Sequence, residues 1–341
     1  MVQWRPVLGK WARARYDLAM DGKIGLEEHF AIPDTVGDSR GFVGEEIWRD
    51  LHARLIDFQD LRLREMDAHG IEKMILSLNA PTIQRIVDPE TAIELSRRAN
   101  DVLAEEIAKR PKRFEGFAAL PLQDPERAAR ELERCVKELG FVGALVNGYS
   151  QLGSAENFLY YDLPQYWDFW GVVAGLDVPF YLHPREPSER KAYDRHPWLV
   201  GPAYGFAAET GLHALRLLGS GLFDKYPKLT LILGHMGEGL PFNLYRIDER
   251  IAWSPMGYPA KRKISEYFQD NVYITTSGNF RTQTLIDCIL EVGADRILFS
   301  TDYPFEQIAE AAEWFDRASI SEHDRLKIGR TNSLKLFKLD A

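Results

Sequence analysis

The chain has 341 residues, 45% hydrophobic and 27% charged, with a net charge of −9. That supports a sizeable core, and an acidic balance without any basic stripe argues against nucleic acid as a partner. No apolar run is long enough to span a bilayer, and two cysteines in predicted helices, Cys135 and Cys288, give no disulfide framework and suit a reducing cytoplasm.

Residues Met1 to Met20 hold Trp4, Arg5, Lys10, Trp11, Arg13 and Arg15 but no continuous apolar stretch, which excludes a secretory signal. They read as a leader or added extension (1–20) ahead of a single domain over 21–341. Eight short runs rich in β-branched or aromatic residues then follow: Lys23 to Glu28, Met74 to Asn79, Phe114 to Leu120, Gly143 to Asn147, Pro179 to His183, Leu229 to His235, Val272 to Ser277 and Ile297 to Asp302. Amphipathic helical stretches separate them, among them Ala92 to Arg110, Asp124 to Leu139, His213 to Lys225 and Thr282 to Val292. Asp124 is a natural N-cap with Pro125 at the first helical position, and Gly140 and Gly293 close two of the helices.

Strand–helix alternation repeated eight times predicts an α/β (β/α)8 TIM barrel with a parallel sheet. Two connections are long: His29 to Leu61 and Asn147 to Leu176. The second carries Tyr149, Phe158, Tyr160, Tyr161, Tyr166, Trp167, Phe169 and Trp170. These aromatics form either a satellite core or a wall over the pocket.

The C-terminal strand ends of such a barrel converge on one face, so residues far apart in sequence can share a site. Glu27 and His29 are two apart and share one side of a strand, with Ile24, Leu26 and Glu28 expected on the helix side. His183, His235 and Asp302 each end a strand run. Singly, each is an ordinary polar residue leaving a strand. Together they assemble imidazole and carboxylate ligands without thiolate, a set that suits zinc or manganese, with iron also open. A metal-bound imidazole needs a partner on its other nitrogen, and Glu238, three residues beyond His235, stands where it can orient that ring. Arg246 either forks onto a substrate carboxylate or makes a surface ion pair. His52, His69, His213 and His323 sit in helical contexts with bland readings, and His196 is a marginal pocket candidate.

The ordered motifs LEEHF (Leu26 to Phe30), FVGALVN (Phe141 to Asn147), DVPFYLHPR (Asp177 to Arg185), LILGHMGEGLPF (Leu231 to Phe242), TTSGNFRTQTL (Thr275 to Leu285) and DRILFSTDYPFE (Asp295 to Glu306) carry a resemblance. From about Gly22 to Leu339 the chain resembles the amidohydrolase superfamily, and within it the non-oxidative aromatic-acid decarboxylases. The resemblance implies that Glu27, His29, His183 and Asp302 hold one divalent metal, Mn2+ or Zn2+. It implies His235 and Glu238 as an active-site dyad. Phe42 and Arg246 match substrate-binding positions, Arg246 reaching a neighbouring subunit's site in a homotetramer or homodimer. Hydrolase relatives with a second metal carry a carboxylated lysine after the fourth strand. Asn147 stands there instead, so one metal is expected. No organic cofactor is expected, since LEEHF replaces any glycine-rich dinucleotide fingerprint after the first strand.

The activity implied is reversible decarboxylation of a dihydroxybenzoate, with a small aromatic acid as substrate. Relatives acting on 2,3-dihydroxybenzoate and salicylate tend to carry EEA where this chain has Glu27-Glu28-His29, which favours the 2,6-isomer (γ-resorcylate). The expected mechanism places Asp302 beside the metal as proton donor to the ring carbon bearing the carboxylate, carrying a proton once substrate is bound. The alternatives are a 2,3-dihydroxybenzoate or salicylate-type decarboxylase, a metal-dependent hydrolase with His235 activating water, and a catalytically silent barrel.

Overall fold

The computed structural model describes residues 19–340. The proposed leader therefore lies outside the described residues, apart from Ala19 and Met20. Eight parallel strands follow one another around a barrel: β1 (Lys23–Phe30), β2 (Ile71–Leu78), β3 (Phe114–Ala118), β4 (Gly143–Asn147), then, past an antiparallel hairpin of β5 (Ser150–Leu152) and β6 (Ser154–Leu159), β7 (Phe180–His183), β8 (Leu231–Leu233), β9 (Val272–Thr275) and β10 (Ile297–Leu298). Every expected run contains a strand, and the barrel expectation holds. No helix among the described residues is long and apolar enough to cross a membrane.

Leu26, Ile75, Phe117, Leu145, Tyr181, Ile232 and Leu298, one from each of seven strands, cluster together and plug the barrel interior. The larger core lies between strands and helices, as a doubly covered sheet requires. Helix starts follow local chemistry. Asp124 accepts the Arg127 amide at 3.0 Å and caps Pro125–Lys137, while Asp88 caps Pro89–Lys109 in the same way.

Four details depart from the sequence reading. The helix expected from His213 starts earlier, at Gly205–Gly219, and breaks before a short helix at Leu222–Lys225. The long first connection contains a helix, Glu45–Ile56. Tyr149, Tyr161, Tyr166, Phe169 and Trp170 are buried and line no part of the barrel-mouth cavity, so the aromatic stretch builds core and not a wall over the pocket. The strict alternation expected of β1 fails: Leu26 pairs with Ile75 and Glu28 with Leu76, leaving Glu27 as the extra residue of a bulge with φ of 66°. Leu26 therefore faces the barrel interior, not the helices, and Glu27 still reaches the inside of the barrel next to it.

Candidate metal centre

Each functional side chain arrives from a strand end. Glu27 and His29 come from β1, and His183 is the last residue of β7. Asp302 lies four residues past β10, and its φ of 68° turns it back toward the mouth. Glu27, His29, His183 and Asp302 each offer one ligand atom, and these atoms all lie within 4.8 Å of one another. Nε2 of His29 is 3.4 Å from Oδ1 of Asp302, and Nε2 of His183 is 3.3 Å from Oε1 of Glu27.

On Glu27 and His29 the atoms that face the common point are left without a hydrogen bond. Oε1 of Glu27 and Nε2 of His29 are buried without a hydrogen-bond partner. Their other atoms are taken. Ser77, opposite His29 in the β1–β2 register, sits 3.1 Å from Nδ1 of the imidazole, which leaves Nε2 for a ligand. Oε2 of Glu27 accepts hydrogen bonds from the hydroxyls of Tyr181 and Ser277, and from Thr275 at 3.3 Å. An orphaned carboxylate oxygen and an orphaned imidazole nitrogen aimed at one point suit a divalent cation bound by nitrogen and oxygen. The backbone makes room for this carboxylate at Gly234, where a Cβ would stand 2.8 Å from Oε2 of Glu27 and 3.1 Å from the Tyr181 hydroxyl.

Burial opposes a charge on Glu27, but His235, His183 and His29 outweigh it and hold the carboxyl well below the ordinary range. Burial pulls His183 down, toward the neutral ligand form.

His235 stands beside the four and not among them. Its Nε2 is 3.5 Å from Oδ2 of Asp302 and 3.6 Å from Oε1 of Glu27. Its Nδ1 is 2.7 Å from Oε1 of Glu238, the partner expected from the spacing. A run of positive φ produces that contact: His235, Met236, Gly237, Glu238 and Gly239 have φ of 50°, 57°, 77°, 55° and 74°. Right-handed sterics make such a left-handed turn costly for L-residues, and it survives where packing holds it. Burial disfavours the imidazolium, yet Glu238 and Glu27 prevail and raise His235 well above its usual pKa. Burial raises Glu238.

The site opens into a cavity of about 190 Å³ lined by Ser39, Val43, Ala80, Pro81, His183, Pro184, Arg185, Glu186, Pro202, Phe206, His235, Asp302, Phe305 and Glu306. Most of the lining is apolar, and Phe305 meets the His29 ring edge-to-face at 5.5 Å. The cavity continues into a wider groove that reaches Tyr204, Leu212 and Asn243. A groove of about 680 Å³ at the opposite end of the barrel holds none of these ligands.

One expected site residue is not brought to the centre within the chain. Arg246 is exposed on the helix Leu244–Trp253 and does not line the cavity. Phe42 ends the 3-10 helix Val36–Phe42, and its side chain lies outside what the structure describes. His196 is exposed and away from the cavity. Sequence reasoning passed over Ser77, Tyr181, Thr275 and Ser277. The visible signal was a hydroxyl at or near the end of each of several strands, in MILSLN, PFYLH and TTS.

The amidohydrolase family model matches residues 46–339. The gamma-resorcylate decarboxylase of Rhizobium sp. (strain MTP-10005) is 66% identical over 325 residues, covering 94% of this chain and 99% of its own. A 2,6-dihydroxybenzoate decarboxylase solved in complex with 2,6-dihydroxybenzoate superposes with a TM-score of 0.92 at 65% identity, over 94% of this chain and 100% of that one. A dihydroxybenzoic acid decarboxylase from Polaromonas sp. JS666, solved with bound manganese and the inhibitor 2-nitroresorcinol, gives the same TM-score of 0.92 and 65% identity, over 94% and 97% of the two chains. With the family model spanning most of the barrel and these enzymes superposing on it nearly end to end, the chain belongs to the amidohydrolase family.

Proposed function

We propose that this protein is a carboxy-lyase that converts 2,6-dihydroxybenzoate to resorcinol and carbon dioxide, reversibly and with one divalent metal. The observation that carries the proposal is the pair of orphaned ligand atoms on Glu27 and His29, facing His183 and Asp302 beneath an apolar cavity of a size for one aromatic ring. Similarity to gamma-resorcylate decarboxylases over nearly the whole chain supports the choice of substrate.

Glu27, His29, His183 and Asp302 would hold the manganese or zinc ion, which would supply positive charge to offset the substrate's oxyanions. The rest is the work of the chain. Val43, Pro81, Pro184, Pro202 and Phe305 offer the ring edge a mostly apolar wall. Asp302 delivers a proton to the ring carbon that bears the carboxylate. The carbon–carbon bond then breaks, its electron pair returns to the ring, and carbon dioxide leaves as aromaticity is restored. His235, fixed through Nδ1 by Glu238, presents Nε2 toward Asp302 and takes or returns the proton of a substrate hydroxyl. No organic cofactor is needed, because the hydroxylated ring accepts the electron pair itself.

The proposal extends to assembly. Phe242, Tyr245, Trp253 and Met256 leave large apolar surfaces exposed on and beside the helix that carries Arg246. Such a patch fits contact between copies of the chain, as a homotetramer or homodimer, with Arg246 reaching a neighbouring copy's site. A cytoplasmic setting fits the two unpaired cysteines.

Asp302→Asn tests the mechanism. We expect a folded protein whose turnover of 2,6-dihydroxybenzoate falls at least about 1000-fold, in the range seen when a transition-state group is lost. Turnover close to that of the parent in metal-loaded Asp302→Asn would remove Asp302 as proton donor.

A further inference from the structure

Each neighbouring pair of barrel strands shares a backbone ladder, but the first and last, β1 and β10, do not. The seam between them lies under the metal centre. It is closed at the mouth by the His29 amide, which donates to the carbonyl of Tyr303 at 2.6 Å, and by one carboxylate, that of Glu28. Oε1 of Glu28 accepts the Thr301 amide at 2.9 Å and the Ser300 hydroxyl at 3.4 Å. Oε2 accepts the Thr301 hydroxyl at 2.5 Å and the Tyr303 amide at 3.3 Å. The two amides it holds are those on either side of Asp302.

We infer that Glu28 is the positioning residue for Asp302, acting through the backbone it grips from β1. Glu28 is fully buried, its two oxygens are taken by Ser300, Thr301 and Tyr303, and it is not one of the four clustered ligands. Asp302 needs such a grip. Its φ of 68° is uncommon for a residue with a side chain, though Asp tolerates it better than most, and the contacts on either side hold it there. The chain is shaped for the carboxylate as well, since a Cβ at Gly25 would stand 2.6 Å from Oε1 of Glu28. Arg62 completes the brace from behind: it is buried, donates from Nη2 to the His29 carbonyl at 2.6 Å, and places its guanidinium 4.5 Å over the Tyr303 ring. One set of contacts thus fixes the spacing between His29 on β1 and Asp302 beyond β10. The proposed function gives Asp302 two tasks, ligation and proton delivery, and both depend on where its carboxylate points.

The inference rests on the proposed decarboxylation only where turnover is read, so the test has two further readouts. Glu28→Ala is prepared beside Glu28→Gln and a control, Asp316→Asn. The control breaks the Lys23–Asp316 ion pair of 3.0 Å, made by the first residue of β1 and far from the mouth. In Glu28→Ala we expect faster hydrogen exchange at the Thr301 and Tyr303 amides. We also expect manganese affinity, read by the Mn2+ spin-resonance signal, to fall about 10- to 100-fold, as when a group that orients a metal ligand is lost. At saturating manganese kcat should fall by a similar factor, with KM within about twofold. Glu28→Gln, which keeps one oxygen acceptor, should lie between Ala and the parent. Asp316→Asn should lower Tm and leave manganese affinity and kcat unchanged.

Parent-like manganese affinity and amide exchange in folded Glu28→Ala would overturn the inference, as would a control that loses affinity equally. If Glu28→Ala does not fold, Thr301→Val carries the test by removing the hydroxyl's contacts with Glu28 and with the Tyr303 amide, while Oε1 of Glu28 keeps the Thr301 amide. A several-fold loss of affinity there supports the role, and none overturns it. An inactive but manganese-binding parent would sink the decarboxylase reading, while affinity and exchange would still decide the role of Glu28.

Discussion

The hydroxyl of Tyr181 donates a hydrogen bond to Oε2 of Glu27, while Oε1 of the same carboxylate makes no hydrogen bond and faces Nε2 of His183 at 3.3 Å. One atom is anchored so that the other can face a metal. Tyr181→Phe frees the anchored oxygen to turn. Manganese affinity should fall about tenfold, since groups that orient a metal ligand commonly contribute that much. Titration calorimetry with Mn2+ checks it, and unchanged affinity would show that Ser277 and Thr275 hold Glu27 without help.

Gly234 makes a sharper test of the same carboxylate. A methyl group there would press to 2.8 Å from Oε2 of Glu27, which three hydroxyls prevent from retreating. Gly234→Ala should give a folded protein with less than about one-tenth of the parent's bound manganese after dialysis, in line with a displaced ligand. Metal analysis beside circular dichroism reads both parts, and full metal content would contradict the tight approach.

His235→Asn separates dyad from ligand. His235 lies outside the four-residue cluster and is held by Glu238 at 2.7 Å. Turnover should fall about 100- to 10,000-fold, the usual contribution of a positioned acid or base, with manganese still bound. Loss of metal along with turnover would make His235 a ligand.

Acid sensitivity should trace in part to a residue far from the metal. His213 is buried in the helix Gly205–Gly219, and its Nε2 accepts the Tyr161 amide at 3.1 Å. Burial, with Arg216 adding to it, lowers its pKa from 6.5 to about 3. Between those values the unfolded chain binds a proton that the fold refuses, so stability falls as pH falls, by up to about 1.4 kcal/mol per pH unit. His213→Gln should flatten this limb in urea titrations run from pH 7 to pH 4. Parallel curves for the two proteins would remove His213 as a source.

A stability change without a functional one is expected at Asp124, whose carboxylate caps the helix Pro125–Lys137 away from the centre. Asp124→Ala should cost about 1 kcal/mol of stability and leave kcat unchanged. Urea unfolding reads the first and a steady-state assay the second.

Much of this was legible in the sequence, for reasons that can be named. Apolar strand runs at regular intervals imply a barrel, and a barrel turns strand-end residues into neighbours, so the positions of Glu27, His29, His183 and Asp302 along the chain are enough to group them. The His235–Glu238 contact was legible from a spacing of three, although the left-handed turn that makes it was not. The bulge at Glu27 was hidden because no glycine marks its positive φ, and simple alternation therefore misdirected Leu26 and left Glu28 as a residue pointing at helices. Ser77, Tyr181, Thr275 and Ser277 escaped notice because a hydroxyl on a strand has many uses, and only the closed barrel shows that these converge on two metal ligands. The aromatics between Tyr149 and Trp170 were ambiguous for the same reason: pocket and core draw on the same side chains, and only packing separates them.

The central claim is that this metal centre decarboxylates 2,6-dihydroxybenzoate with a proton delivered at the carbon that loses carbon dioxide. Manganese-loaded protein in D2O, given 2,6- and 2,3-dihydroxybenzoate separately and followed by proton NMR, tests it most directly. The account predicts resorcinol from the 2,6-isomer, carrying one deuterium between its two hydroxyls, and no matching conversion of the 2,3-isomer. Catechol from the 2,3-isomer alone would contradict the substrate, and no product from either acid in metal-replete protein would contradict the chemistry itself.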